Sequence, residues 1–174
     1  DRTDFYQCLV PKVQQQLLQA LPDAITQQLC QLAAYAQNSA GAIMSSDFVT
    51  LDPQSSLADA IETLRHLASD RETLYLVYVV DDAQRLIGVI SLRQIIQADP
   101  QCRVAQVMQR ELISAYVDDD QEHVASVLAH YDFLALPIID TQQRLVGIVT
   151  YDDAMDVIRA ETDEDFLKSS AVQT

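Results

Sequence analysis

An internal duplication constrains the fold of this chain of 174 residues more than any other feature of its sequence. Residues 78–91 return as residues 137–150, with the same succession of an apolar stretch, a polar turn ending in Arg-Leu, a glycine and a second apolar stretch. Upstream of each copy, residues 42–44 (Ala-Ile-Met) correspond to residues 106–108 (Gln-Val-Met). Two halves this alike are expected to pack against each other as a pseudo-dimer with equivalent clefts between them.

Both copies are predicted to follow one order of secondary structure, β-α-β-β-α, which places the fold in the α/β class. Apolar alternation between turn residues marks the strands, and apolar residues at helical spacing mark the helices. Ser91 and Thr150 lie where each would cap the helix that closes its copy. The predicted elements before that helix are, in pairs, strands 48–51 and 113–116, helices 56–67 and 120–131, strands 74–80 and 134–139, and strands 86–90 and 145–149.

Residues 5–37 have the pattern of a helical hairpin that precedes the duplicated region. Pro11 and Pro22 each lie where the first turn of a helix tolerates proline, and apolar residues recur at helical spacing after both. Two helices with apolar faces do not stand alone, so we interpret them as the end of a larger, truncated helical domain. The alternative is a cap on the duplicated region. The chain starts at Asp1 without an initiator methionine, and we expect it to be a piece of a longer or processed protein.

The acidic residues are numerous and unevenly distributed. A formal net charge of −15 argues against non-specific binding to nucleic acid or to anionic lipid. Half of the 26 acidic residues lie between Asp118 and the C-terminus, where only Arg144, Arg159 and Lys168 oppose them. A solvated face is the usual explanation of such a run. The density of carboxylates also raises the question of which cation neutralises them.

The apolar runs and the cysteines set two further limits. Runs such as residues 134–139 are far shorter than the roughly 20 residues that cross a bilayer. The three cysteines, Cys8, Cys30 and Cys102, are scattered without the spacing of a metal site and suit a reducing compartment. We therefore expect a soluble, cytoplasmic chain whose thiols stay reduced.

The duplicated region resembles a tandem pair of cystathionine-β-synthase-type repeats, known as CBS domains. The resemblance covers residues 40–160 and is carried by the Met44 and Met108 starts, the Val-Val-Asp and Ile-Ile-Asp strand ends, and the Arg-Leu-x-Gly-(Val/Ile) strands. It implies two CBS repeats, which we place at residues 39–100 and 101–160.

More narrowly, the chain resembles the cytosolic region of MgtE-type magnesium transporters, through four stretches and the acidic residues 161–165. The four stretches are residues 39–44, 72–81, 120–125 and 131–137. In that family a helical N-terminal domain precedes the CBS pair, so the resemblance assigns residues 1–38 to the last hairpin of that domain. It assigns residues 161–174 to the start of a helix that connects to pore-forming membrane helices absent from this chain.

The resemblance implies a homodimeric magnesium sensor on the cytoplasmic face of the bacterial inner membrane, with its own transmembrane domain as partner. Mg²⁺ would bridge acidic residues of the cytosolic domains and the connecting helix, and so favour the closed state of the pore. Helical spacing alone places Asp153, Asp156, Asp163 and Glu164 on one side of a helix over 152–168. The positions that match the family's acidic ligands are Asp120, Asp132, Asp153, Asp156, Glu161, Glu164 and Asp165.

Many CBS pairs bind adenosine nucleotides through a Gly-x-x-(Ser/Thr)-x-x-Asp motif whose aspartate holds the ribose hydroxyls. The second copy keeps this motif as Gly147, Thr150 and Asp153. Magnesium transporters that bind ATP have an Arg-Asp pair in the first copy, where this chain has Arg93 and Gln94, and a glutamine cannot act as the ionised acceptor. The residues that the resemblance assigns to an ATP cleft are Tyr75, Arg93, Gln94 and Phe133.

The sequence carries no motif for catalysis, so we predict that the chain is not an enzyme. Its three glycines form no Gly-rich phosphate loop, and it shows no nucleophile–base motif. Mg²⁺ is the expected cofactor, and ATP is the second candidate ligand. Two rival interpretations stay open: a free-standing adenosine-nucleotide sensor, and an accessory domain that regulates an enzyme fused elsewhere.

Overall fold

The computed structural model describes residues 35–67 and 75–159. The predicted hairpin lies outside these ranges except for residues 35–37, which are not helical, and the predicted segment 161–174 also lies outside them. None of the described helices has the length and hydropathy of a membrane span. The elements, in chain order, are α1 (Ala40–Ile43), β1 (Thr50–Leu51), α2 (Leu57–Leu67), β2 (Leu76–Val80), β3 (Leu86–Ser91), α3 (Leu92–Gln97), α4 (Val104–Val107), β4 (Ala115–Tyr116), α5 (Gln121–Tyr131), β5 (Ala135–Ile139), β6 (Leu145–Thr150) and α6, which begins at residue 151 and is described to residue 159.

The strands form two three-stranded sheets, one from each copy. The first has the order β1-β2-β3 and the second the order β4-β5-β6. In each sheet the short first strand runs parallel to the middle strand, and the middle strand is antiparallel to the third. The two registers are equivalent, because Gly88 pairs with Val79 and Gly147 pairs with Ile138. The predicted α/β class and the β-α-β-β-α order of both copies are therefore confirmed.

Two short helices that the sequence patterns did not predict, α1 and α4, open the copies. Each is followed by a buried methionine, Met44 or Met108. Met44 packs in the core of the second copy with Leu128 and Val149, whereas Met108 packs in the core of the first copy. The opening segment of each copy thus packs on the other copy. We call residues 39–45 and 103–109 the clasps.

Backbone hydrogen bonds hold both clasps in place. Ser45 exchanges two with Ile148, at 2.7 and 2.9 Å, and Gln109 exchanges two with Val89, at 2.8 and 3.0 Å. Each pair is a short antiparallel bridge between a clasp and the third strand of the other copy. The two copies are therefore interlocked by equivalent contacts.

The polar turns of the two copies also meet each other. Each begins with an aspartate, Asp81 or Asp140, that accepts backbone N–H groups and pairs with the arginine four residues later. Hydrogen bonds from Arg85 hold the pKa of Asp81 below its ordinary value. The Leu86 N–H donates to the Gln143 carbonyl oxygen at 3.0 Å, which joins the two turns.

A third apolar cluster fills the junction between the copies, as the duplication predicts. Val77 and Val79 face the core of the first copy, and Tyr78 and Val80, which alternate with them on β2, face the junction. The buried residues of the junction are Tyr78, Val80, Ala135, Leu145 and Ile148. The middle strands are thus buried on both faces, which explains why they read as nearly continuous apolar runs.

Candidate functional site

Two of the carboxylates predicted to bind Mg²⁺ lie at opposite ends of α5. Asp120 caps its N-terminus, where one carboxylate oxygen accepts the backbone N–H groups of Glu122 at 2.8 Å and His123 at 3.3 Å. Asp132 is the C-terminal cap, in the left-handed region with φ 52°. Both side chains are exposed. At 1.5 Å per residue they lie roughly 18 Å apart along the axis, so one ion cannot contact both.

Two further predicted ligands, Asp153 and Asp156, lie one turn apart on α6. The Thr150 hydroxyl donates to a carboxylate oxygen of Asp153 at 2.6 Å, and Asp156 pairs loosely with Arg159 at 3.5 Å. Asp156 is exposed, whereas Asp153 is half-buried. Burial raises the pKa of Asp153 above its ordinary value, and repulsion from Asp152 and Asp156 raises it further. The hydrogen bond from Thr150 opposes this shift, because it stabilises the charged form.

The remaining predicted ligands, Glu161, Glu164 and Asp165, lie outside the described residues. Within residues 35–67 and 75–159, no three His, Cys, Asp or Glu side chains are grouped as a metal site. The structure brings Asp153 and Asp156 together and separates Asp120 from Asp132. Isolated pairs of carboxylates suit Mg²⁺, because this ion keeps most of its water and takes one or two carboxylates from a protein.

A set of residues on and before α2 repeats the spacing found on α6 and shows what is particular to Asp153. The Ser56 hydroxyl donates to Asp59 at 2.6 Å, and Glu62 forms an ion pair with Arg65. Asp59 is exposed, however, whereas Asp153 is half-buried. Burial, rather than spacing, therefore distinguishes the carboxylate on α6.

Asp153→Asn is expected to raise the melting temperature at neutral pH, because the amide keeps an acceptor for Thr150 and removes the half-buried charge. The folded-state pKa of Asp153 is raised above the unfolded value, so the carboxylate costs stability above the folded pKa. That cost vanishes as pH falls through the folded pKa toward the unfolded value of about 3.9. Thermal denaturation across this range should show the advantage of the variant shrinking with falling pH. Asp59→Asn is the matched control, and an equal gain from it would contradict the explanation.

A small cavity of about 20 Å³ opens at the junction between the copies, beside the starts of β2 and β5 and away from the paired turns. It has room for about one water molecule. Tyr75 is the predicted cleft residue that lines it, and its side chain is 67% exposed. The residues that line the cavity are Phe48, Tyr75, Leu76, Tyr78, Leu134, Ala135 and Ile148.

The other three predicted cleft residues do not line this cavity. Arg93 is exposed on α3. The side-chain oxygen of Gln94 accepts the backbone N–H of Ser91 at 2.8 Å and its hydroxyl at 2.9 Å, completing a capping box. Phe133 is half-buried and stacks on Tyr131 with ring centroids 5.4 Å apart. In this structure the side chain of Gln94 therefore stabilises the N-terminus of α3.

Sequence reasoning did not single out Tyr78, which the structure buries in the apolar cluster between the two copies. Its side chain is 2% exposed, and its hydroxyl has no hydrogen-bond partner among the described residues. Burial raises the pKa of this hydroxyl above its ordinary value. A signal was available in the duplication, since the second copy has Pro137 at the equivalent position of its middle strand.

Comparison with known proteins finds one matching family and several magnesium transporters among the relatives of this chain. The model of the CBS domain matches residues 40–100 and 104–160. The chain is 45% identical over 141 residues to the magnesium transporter MgtE of Thermus thermophilus. The aligned region covers 81% of this chain and 31% of the transporter. It is 38% identical over 140 residues to MgtE of Bacillus subtilis, with coverages of 80% and 31%. The chain thus spans about a third of the length of these relatives.

Two solved structures have the same fold at substantial sequence identity. The soluble part of a magnesium transporter superposes with a TM-score of 0.88 at 38% identity, covering 91% of this chain and 62% of that chain. The cytosolic domain of the Mg²⁺ channel MgtE in complex with ATP superposes with a TM-score of 0.86 at 40% identity, covering 89% and 64%.

Proposed function

Because this chain belongs to the CBS domain family and has MgtE magnesium transporters as homologues, we propose that it is a cytosolic regulatory module that senses Mg²⁺ for a magnesium transporter. Its partners are a second copy of itself and its own transmembrane domain, at the cytoplasmic face of the bacterial inner membrane. Bound Mg²⁺ favours the closed state of the pore, and the module itself catalyses no reaction. The observation that carries the proposal is the match to MgtE over 81% of the chain.

The acidic residues of α5 and α6 provide the physical basis for a switch. Two carboxylates about 5 Å apart repel each other by roughly 3 kcal/mol at an effective dielectric constant near 20. Mg²⁺ that bridges such groups removes this repulsion and keeps its water, so it binds weakly and reversibly. An ion that binds the compact arrangement better than the open one shifts the population toward the compact arrangement. Because Asp120 and Asp132 lie at opposite ends of α5, they serve different ions.

The chain is expected to compact when Mg²⁺ is added, and small-angle X-ray scattering measures this as a smaller radius of gyration. The double variant Asp153→Asn/Asp156→Asn should move the midpoint to about tenfold higher Mg²⁺, since about 1.4 kcal/mol of binding free energy is tenfold in affinity. Potassium chloride at equal ionic strength controls for screening. The matched variant Asp59→Asn/Glu62→Gln removes two carboxylates at the same spacing from α2 and should leave the midpoint unchanged. Identical dimensions with and without millimolar-range Mg²⁺ would rule out the switch.

A second candidate function is the binding of an adenosine nucleotide, which the surroundings of Asp153 favour. Its half-buried carboxylate accepts a hydrogen bond from Thr150 within the Gly-x-x-Thr-x-x-Asp motif of the second copy. An ionised carboxylate has about four lone-pair positions, so it can also accept the hydroxyls of a ribose. The similar MgtE domain solved with ATP supports this candidate. Calorimetric titration of the chain with ATP tests it independently of Mg²⁺.

A further inference from the structure

A tight turn before α1 carries the chain from its upstream residues onto the second copy. The Ser39 N–H donates to the Ala36 carbonyl oxygen at 3.2 Å, and the Ser39 hydroxyl donates to the same oxygen at 2.7 Å. Asn38 lies within this turn in the left-handed region, with φ 70°, which asparagine adopts more readily than most residues. The turn therefore has a fixed geometry, and it sets the position from which Tyr35 enters.

The backbone after this turn is bonded to the segment that leads into α5. Three backbone hydrogen bonds of 2.7–2.9 Å join residues 38–41 to residues 117–121. The other clasp has three equivalent bonds of 2.9–3.0 Å, which join residues 102–105 to residues 53–57. Because both clasps have these bonds, the bonds belong to the duplicated fold and are not particular to one copy.

One contact at the first clasp has no counterpart at the second among the described residues. Tyr35 packs against the core of the second copy, so close to Gly41 that a Cβ atom there would lie 2.5 Å from the Tyr35 Cγ and 2.8 Å from the Val117 Cγ2. The residue equivalent to Tyr35 is Asp99, which is exposed. The residue equivalent to Gly41 is Ala105, so a clasp without the aromatic ring accepts a methyl group. The contact of Tyr35 is therefore an addition to the duplicated fold.

Two unfavourable backbone features accompany this contact. Gly41 lies in α1, and glycine is less favourable than alanine inside a helix because its backbone loses more freedom on folding. Asn38 has a left-handed conformation that its counterpart Cys102 does not share. Both features occur at the clasp that holds Tyr35 and not at the equivalent clasp. A contact kept at this cost, beyond what the duplicated fold requires, indicates a function for the contact itself.

We propose that Tyr35 acts as a latch, which fastens the chain before residue 35 to the second copy. The latch closes over the clasp that is bonded to residues 117–121, and these residues include the three aspartates at 118–120 that precede α5. Close-packed groups transmit displacements. A movement of the upstream residues therefore acts on this acidic turn of the second copy, although the sequence joins them to the first. The inference goes beyond the proposed function, because it requires no bound ion.

Tyr35→Trp tests the latch by fluorescence, because the chain has no other tryptophan. Its emission should lie at shorter wavelength than that of Tyr131→Trp, the matched control at a position that is 51% exposed. Adding Gly41→Ala to Tyr35→Trp should shift the emission toward that of the control, since the methyl group takes the space of the ring. Equal emission from the two single variants, or no shift with Gly41→Ala, would overturn the latch.

Amide hydrogen exchange tests the transmission without a tryptophan. Tyr35→Ala should speed exchange about tenfold in residues 117–125, the turn and the first part of α5, by loosening them locally. The equivalent residues 53–61 should exchange at the wild-type rate. Asp99→Ala, at the position equivalent to Tyr35, is the matched control and should change neither segment. Unchanged exchange in residues 117–125 would overturn the transmission. Equal acceleration of both segments would also overturn it, because it would show a general loss of stability.

Discussion

Gly147→Ala is expected to lower the free energy of unfolding by about 2 kcal/mol, the usual cost of forcing a methyl group into a packed core. A Cβ atom at this position would lie 2.5 Å from the Met44 sulfur, 2.8 Å from its Cγ and 3.1 Å from its Cβ. Rotation of the methionine relieves the first of these contacts more easily than the last, which involves the base of the side chain. Met44 is 3% exposed, and the close packing of a protein core leaves such a side chain little room to move. Urea denaturation of both proteins measures the loss.

The variant Met44→Ala separates this contact from a general effect of alanine at position 147. Alone it should cost about 2–5 kcal/mol, because it leaves a cavity in the core of the second copy. In the double variant the new methyl group no longer meets the methionine. The free energy of unfolding lost in the double variant should therefore be smaller than the sum of the losses in the two single variants, by about 1 kcal/mol or more. Strict additivity would show that Gly147 is constrained by something other than Met44. Gly88→Ala should couple to Met108 in the same way.

Replacing residues 39–45 with glycine and serine is expected to unfold the second copy, although these residues belong by sequence to the first. The replacement removes Ala40 and Met44 from the core of the second copy and disrupts the bridge between Ser45 and Ile148. Loss of a buried methionine side chain alone costs about 2–5 kcal/mol, a large part of the 5–15 kcal/mol that typically stabilises a domain. Amide hydrogen exchange should show protection lost first in β5 and β6.

The loop at residues 110–114 provides the control for this replacement. It has no helix or strand and contributes no residue to the buried clusters, so the same glycine and serine replacement there should leave exchange in β5 and β6 nearly unchanged. Undiminished protection of the second copy after loss of residues 39–45 would contradict the interlocked packing. Equal loss from both replacements would attribute the effect to chain flexibility instead.

The clasps were the part of the fold that the sequence patterns did not reveal. Residues 42–44 and 106–108 are visibly equivalent, and Met44 and Met108 mark the start of each copy. Because the two copies repeat the same order of strands and helices, a short segment has two candidate docking sites, one on its own copy and one on the other. Its own residues do not distinguish them. Distances and hydrogen bonds within the folded chain decide the matter, and they place each segment on the other copy.

The sequence predicted which carboxylates lie on one side of α6, but it did not predict which of them is buried. Helical spacing places Asp153 and Asp156 on one side of α6, as the structure has them. The same spacing occurs in Asp59 and Glu62, so helical spacing alone does not distinguish the two pairs. Burial separates them, because neighbouring elements cover Asp153 and leave Asp59 exposed. The sequence did not reveal the unpaired hydroxyl of Tyr78 for a related reason. Alternation along a strand predicts which face is buried, but not whether a polar group on that face finds a hydrogen-bond partner among the described residues.

From the sequence alone follow the duplication, the α/β class, the order of strands and helices, and the acidity of the C-terminal third. These properties depend on periodicity, turn residues and composition, which are local or additive along the chain. The folded structure was needed for the interlocked clasps, the half-buried carboxylate of Asp153 and the cavity beside Tyr78. Each of these arises where residues far apart in the chain meet, and the environment of a side chain is a property of that meeting rather than of the residue.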